Sequence, residues 1–136
     1  MNFVLDNLAI GNYEVALNPP PIVSALLNVA IEKDLHDTTC LYHKIPIVDM
    51  QPIPSEQMQE AVEWIRDHSM AYRIMVFCNA GIGRSPSVVI GYLCCILGYG
   101  FGEAVEFVAR RKPDISTLPN LIKTIEAVKA PDLGLD

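Results

Sequence analysis

Basic residues are scarce in this chain: 10 lysines and arginines stand against 16 aspartates and glutamates, which gives the 136 residues a net charge of −6. This acidic balance argues against non-specific binding to nucleic acid or acidic membranes, since both require a basic protein surface. The sequence also lacks an apolar run long enough to cross a bilayer. Residues 1–20 carry Asp6 and Glu14 and lack the basic start of a secretory signal. We therefore expect a cytoplasmic protein with no nucleic-acid or membrane partner.

Cysteine and histidine are few as well, and neither shows the spacing typical of a metal site. The segment 81–83 has only two glycines, so it lacks the third glycine of a dinucleotide fingerprint and the lysine of a nucleotide P-loop. We expect no metal and no cofactor. The adjacent Cys94 and Cys95 lie in an apolar pattern that indicates two packed, reduced thiols, and a regulatory disulfide from Cys78 to either is the alternative.

The apolar content of 51% and the charged content of 19% are ordinary for one globular domain. We place this domain at residues 1–130 and expect residues 131–136 to form a C-terminal tail. Short buried strands are predicted at 3–5, 8–10, 25–30, 41–47 and 74–77, and helices at 55–69, 85–97, 103–111 and 119–128. This order predicts an α/β fold with a central, mostly parallel sheet and helices on both faces.

Local signals mark the expected helix ends. Pro21 favours the start of a short helix, and Ser55 is a typical N-cap for the helix that follows it. Gly98 is suited to the C′ position that ends the helix predicted at 85–97.

The segment 78–85 reads Cys-Asn-Ala-Gly-Ile-Gly-Arg-Ser and lies between a predicted strand and a predicted helix. Backbone N–H groups of such a turn converge on an oxyanion, and an arginine can bind two of its oxygens. The positive field also favours the thiolate form of Cys78, which makes it a candidate nucleophile. The alternative interpretation is that Cys78 is a buried cysteine at a strand end. The candidate phosphate-binding residues are Asn79, Ala80, Gly81, Ile82, Gly83 and Arg84.

Two further residues have candidate catalytic roles. Ser85 can donate a hydrogen bond to the cysteine sulfur and can also be the N-cap of the following helix; the two roles are compatible, and the sequence favours neither. Asp49 follows a predicted strand, at the sheet edge where α/β proteins bind ligands, and is the candidate general acid. The alternative for Asp49 is a turn aspartate before a proline-rich loop. Asp34, Asp37 and Asp114 fit less well, because none directly follows a strand.

The segment 78–85 resembles the signature loop of the cysteine-dependent protein tyrosine and dual-specificity phosphatases, and segments 8–11, 25–30, 45–49 and 111–114 are similar to other landmarks of a small dual-specificity phosphatase domain. The resemblance implies metal-independent hydrolysis of phosphomonoesters through a phosphocysteine, on phosphotyrosine and also on phosphoserine or phosphothreonine. One position departs from the pattern. The family usually places histidine before the nucleophile, where it helps to hold the loop, and this chain has Phe77.

Other functions stay open from the sequence alone. The loop also resembles that of glucan phosphatases, although the chain has few aromatic residues to line a sugar groove. A non-catalytic phosphate-binding module and a rhodanese-type sulfurtransferase are further alternatives. A phosphoinositide substrate fits less well, since Asn79, Ala80 and Ile82 are neutral where loops for such lipids usually carry lysine.

Overall fold

A computed structural model describes residues 1–130, which contain one five-stranded sheet. The strands lie in the order β1-β2-β5-β3-β4. Strand β1 pairs antiparallel with β2, and every other neighbouring pair is parallel. The strands are β1 (Asn2–Leu5), β2 (Leu8–Asn12), β3 (Ala25–Asn28), β4 (Leu41–Lys44) and β5 (Ile74–Cys78). The mostly parallel sheet expected from the sequence is confirmed.

The three central strands read as continuous apolar runs because both of their faces are covered. Alternate residues of β5 belong to two separate cores: Val76 faces the larger one and Phe77 the smaller one. The larger core is formed by four helices, and the smaller one lies under the short helix α1 and neighbouring loops. The helices are α1 (Tyr13–Leu17), α2 (Ser55–His68), α3 (Arg84–Cys95), α4 (Phe101–Arg111) and α5 (Leu121–Lys129).

The carboxyl ends of the parallel strands meet at one edge of the sheet. Asn12 of β2 lies opposite Cys78 of β5, and Asn28 of β3 lies opposite Lys44 of β4. The loops that leave this edge therefore converge, as expected for the ligand-binding edge of an α/β sheet. Asp49 follows β4, and the segment 79–83 follows β5.

Three expectations about helix ends were wrong. No helix begins at Pro21, because the short helix is α1, whose N-cap Asn12 accepts a hydrogen bond from the Val15 N–H at 2.9 Å. Ser55 is the first residue of α2 and makes no capping hydrogen bond. Helix α3 ends at Cys95, so Gly98, with a φ of 80°, lies beyond its cap residue. The expected tail at 131–136 lies outside the described residues, and no helix within 1–130 is long and apolar enough to span a bilayer.

Candidate active site

The loop between β5 and α3 packs against the backbone of β2. Gly81 has a φ of 76°, and a Cβ at this position would lie 2.8 Å from the carbonyl oxygen of Gly11. Only glycine meets both conditions without strain. The Tyr13 N–H donates to the Asn79 carbonyl at 3.2 Å, which fixes the first residue of the loop. The path of the loop is therefore set by β2 and α1 as well as by the two elements it connects.

Cys78 and Ser85 face each other across the base of the loop. The Cys78 Sγ and Ser85 Oγ atoms are 3.2 Å apart, and both residues are buried. The N-cap of α3 is Gly83, and Ser85 lies inside the helix, so the N-cap prediction for Ser85 was wrong. The Ser85 hydroxyl and the Cys78 sulfur are instead within hydrogen-bond distance of each other, and either atom can be the donor.

Arg84 is the largest fully buried side chain described, with 1% of its surface exposed. Its Nη1 donates to Glu32 Oε1 at 2.7 Å and to the Ile47 carbonyl at 3.0 Å, and its Nη2 donates to Glu32 Oε2 at 2.6 Å. These contacts use three of the five N–H donors of a guanidinium. The N–H of Nε and the second N–H of Nη2 remain, and they lie on the same edge of the planar group.

The Nε atom of Arg84 is buried and makes no hydrogen bond within residues 1–130. A buried donor without a partner is costly and requires an explanation. The Asp49 Oδ1 atom lies 3.6 Å away, which is an ion-pair distance but too long for a hydrogen bond. The open edge of Arg84 therefore matches two oxygens of a bound tetrahedral anion.

Glu32 and Arg84 shift each other's titration. The hydrogen bonds from Arg84 lower the pKa of Glu32 from 4.5 to about 2. The same hydrogen bonds raise the pKa of Arg84 above its usual value. Both groups are therefore charged at neutral pH. Glu32 was not identified from the sequence, because it occurs in a charged stretch typical of a solvated loop.

Asp49 lines the same cleft as Cys78 and Arg84, and about half of its side chain is exposed. Its Oδ1 atom accepts a hydrogen bond from the N–H of Met50 at 2.9 Å. Met50 has a φ of 61°, a left-handed conformation that is uncommon for residues other than glycine. The carboxyl group and the cysteine thus line one cleft, as expected from their positions at the carboxyl ends of two parallel strands, β4 and β5, although β3 lies between these strands.

The cleft has a volume of about 360 Å³, and its far wall is the segment 116–119. The Ser116 N–H donates to the Ile82 carbonyl at 2.8 Å, and the Leu118 N–H donates to Ser87 Oγ at 3.0 Å. Sequence reasoning missed this wall and the buried Ser87 that supports it. The only sequence signal for the role of Ser87 was a hydroxyl group in an otherwise apolar helix.

The other acidic candidates lie outside this cleft. Asp34 pairs with Lys44 at 2.6 Å, and Asp114 pairs with Lys112 at 2.7 Å. These hydrogen bonds lower the pKa of both aspartates. Asp37 is not among the residues that line the cleft.

Residues 19–130 match the family model of the dual specificity phosphatase catalytic domain. The chain belongs to this family. The match includes the loop at 78–85, Glu32 and Asp49. It begins after α1, so the family model does not cover β1 and β2.

Two curated relatives show how far the likeness to known phosphatases extends. Dual specificity protein phosphatase 5 of Rattus norvegicus is 32% identical over 97 residues, which cover 69% of this chain and 25% of the relative. Dual specificity protein phosphatase 15 of Mus musculus is 26% identical over 134 residues, which cover 93% of this chain and 56% of the relative. The chain thus spans between a quarter and just over half of these relatives.

The crystal structure of DUSP15 superposes with a TM-score of 0.82 at 20% identity, covering 93% of this chain and 85% of that one. This likeness concerns the fold alone. It confirms the expected sheet flanked by helices as that of a dual specificity phosphatase.

Phe77, which replaces the expected histidine, is fully buried in the smaller core of this phosphatase domain. Successive strand residues point to opposite faces, so its ring faces away from the side chain of Cys78. Its carbonyl accepts a hydrogen bond from the Val29 N–H at 2.9 Å. An apolar ring therefore fixes the end of β5 by packing.

Cys94 and Cys95 lie at the end of α3 and do not line the cleft. Burial raises the pKa of Cys94, and burial together with the neighbouring thiol raises the pKa of Cys95 to about 11. Such thiols are weak nucleophiles, because the thiolate is the reactive form.

Within residues 1–130, no group of three or more histidine, cysteine or acidic side chains is arranged to hold a metal ion.

Proposed function

We propose that this domain hydrolyses phosphomonoesters of proteins, phosphotyrosine and also phosphoserine or phosphothreonine, through a phosphocysteine at Cys78. The observation that carries the proposal is the open edge of Arg84. This buried guanidinium is fixed by Glu32 and Ile47, yet two donors on one edge are left for an anion beside Cys78. The substrates that the names of its relatives suggest are phosphorylated proteins.

In the first step, the Cys78 thiolate attacks the phosphorus atom, and the S–P bond forms as the P–O bond to the leaving group breaks. The loop N–H groups at 79–83 and the open edge of Arg84 bind the non-bridging oxygens, on which charge is spread in the transition state. Asp49 transfers its proton to the departing oxygen.

In the second step, water attacks the phosphocysteine and the S–P bond breaks. Asp49, now a carboxylate, accepts a proton from that water. Ser85 lies 3.2 Å from the sulfur and can donate a hydrogen bond to the departing thiolate. No metal or cofactor takes part in either step.

The alternatives from the sequence gain no support from the cleft. Among its described lining residues there is no aromatic side chain to stack on a sugar, which disfavours a glucan substrate. A non-catalytic binding module would need neither a cysteine beside a hydroxyl nor a carboxyl group across the cleft.

We assign the activity to residues 1–130, and we infer a cytoplasmic location because a thiolate nucleophile requires a reducing compartment.

Release of inorganic phosphate from p-nitrophenyl phosphate in the presence of a chelator tests the proposal. The wild-type domain should turn over with chelator present, and Cys78→Ser should abolish turnover while it stays folded, since a serine hydroxyl is protonated at neutral pH. Cys94→Ser is the matched control and should retain activity. Turnover by Cys78→Ser, or sulfur transfer from thiosulfate without phosphate release, would refute the mechanism.

A further inference from the structure

The cleft offers one cationic group to a substrate. Of the residues that line it, all within the described part of the chain, only Arg84 is a lysine or arginine. Its charge is already opposed by Glu32 at 2.6 Å and by Asp49 at 3.6 Å. Loop amides and one edge of Arg84 can therefore bind a single phosphate. The described residues that line the cleft include no second cation to bind a second phosphate.

The opening of the cleft is apolar. Met50 is 78% exposed and Ile82 is 38% exposed, and both line the cleft. Met50 has a φ of 61°, and its backbone N–H donates to Asp49 Oδ1 at 2.9 Å, so the backbone from which its side chain projects is fixed beside Asp49. The opposite wall combines the apolar Leu118 and Pro119 with the uncharged Ser116 and Thr117.

We propose that this site selects substrates with a single phosphate on an uncharged group and discriminates against those with a second phosphate nearby. Met50 and Ile82 set this preference. The inference rests on the function proposed above, because it concerns the substrate class of the same site.

The physical reason is electrostatic. A second phosphate at the opening would lose water to apolar side chains without gaining a cation, and it would approach a chain whose net charge is −6. A phenyl ring or an aliphatic side chain would instead contact Met50 and Ile82. Doubly phosphorylated peptides and inositol bisphosphates belong to the disfavoured class.

A pair of peptides tests the inference. One carries phosphotyrosine and an unmodified serine two residues away, and the other carries the same phosphotyrosine with that serine phosphorylated. We expect the wild-type kcat/KM to be about tenfold lower for the second peptide, with a difference that shrinks at high salt.

Lysine substitutions locate the cause of this preference. Ile82→Lys and Met50→Lys should bring the two peptides to within about threefold of each other. Met70→Lys is the matched control, since Met70 is 96% exposed and lies outside this cleft, and it should leave the ratio unchanged. Equal rates for both peptides in the wild type, or equal effects of Ile82→Lys and Met70→Lys, would overturn the inference.

Binding separates this inference from the proposed function. Calorimetry with Cys78→Ser measures the affinity of both peptides without turnover. If Cys78→Ser prefers the singly phosphorylated peptide, the selectivity stands, whether or not the wild type hydrolyses either peptide. Failure of the wild type to hydrolyse both peptides would refute only the proposed function. If it binds both equally, the selectivity is wrong while hydrolysis by the wild type still supports the function.

Discussion

Glu32 binds Arg84 with both carboxylate oxygens, at 2.7 and 2.6 Å, although the two residues are 52 positions apart. The pair joins the loop after β3 to the first turn of α3. It orients the guanidinium and leaves the edge with Nε open. Charge-assisted pairs of this geometry are directional, so removal of Glu32 should release Arg84 from its position.

Glu32→Gln should therefore lower kcat/KM by about tenfold or more, because a neutral amide turns its own donors toward the guanidinium. Glu126→Gln, a change at an exposed helix position, is the control. Kinetics with p-nitrophenyl phosphate measure the effect. If both variants match the wild type, Glu32 does not position Arg84.

The same variant has a pH signature in its stability. The pKa of Glu32 is lowered from 4.5 to about 2 in the folded state, so its stabilisation is complete above pH 4.5 and is lost as the pH falls toward 2. The Tm gap between the wild type and Glu32→Gln should narrow across this window. Thermal unfolding between pH 7 and pH 2.5 measures it, and a gap that stays constant would contradict the assignment.

Arg84→Lys should lower kcat/KM by about a hundredfold, because an ammonium group cannot bind Glu32 and two phosphate oxygens in fixed geometry. Steady-state kinetics report the loss, with circular dichroism to show that the fold persists. Lys112→Arg, a conservative change outside the cleft, is the control. A variant that keeps most of its kcat/KM would remove Arg84 from the site.

Asp49→Asn should affect poor leaving groups most. With an alkyl phosphate, the loss of the acid should cost about a hundredfold in kcat, whereas p-nitrophenolate leaves without a proton and should show a much smaller loss. The amide oxygen can still accept the Met50 N–H, so the turn should persist. A leaving-group series measures the slope, and equal losses across the series would mean that Asp49 acts by structure alone.

Phe77→His should destabilise the domain by about 1–3 kcal/mol, because it buries a polar ring in the smaller apolar core. Phe77→Leu, which keeps the core apolar, should cost less than Phe77→His. Denaturant unfolding of the three proteins gives the comparison. A histidine variant as stable as the wild type would show that this core supplies a hydrogen-bond partner at position 77.

The parts of the site that are local in sequence could be predicted from it. Cys78, the glycine loop and Arg84 occur in one segment, where strand and helix patterns and glycine positions indicate an anion-binding turn. Asp49 was found because it follows a strand. Their catalytic roles stay predictions until the variants are measured.

The parts that depend on tertiary contacts could not be predicted. Glu32 pairs with a residue 52 positions away, and its neighbours in sequence are polar enough to suggest a solvated loop. The predictions of the helix ends were wrong for a related reason. Serine is a residue type typical of an N-cap, but α3 begins at Arg84, so Ser85 lies inside the helix. The Ser85 hydroxyl contacts the Cys78 sulfur instead.

The fixed position of Arg84 has a consequence for how the reaction ends. Because protein groups orient the guanidinium before any ester arrives, the site is equally ready for orthophosphate, which presents the same oxygens without a leaving group. Orthophosphate should therefore compete with substrate, and vanadate, a mimic of the trigonal-bipyramidal transition state, should compete more strongly. In a phosphate-rich medium, departure of this product would then limit how often the cysteine is free to react.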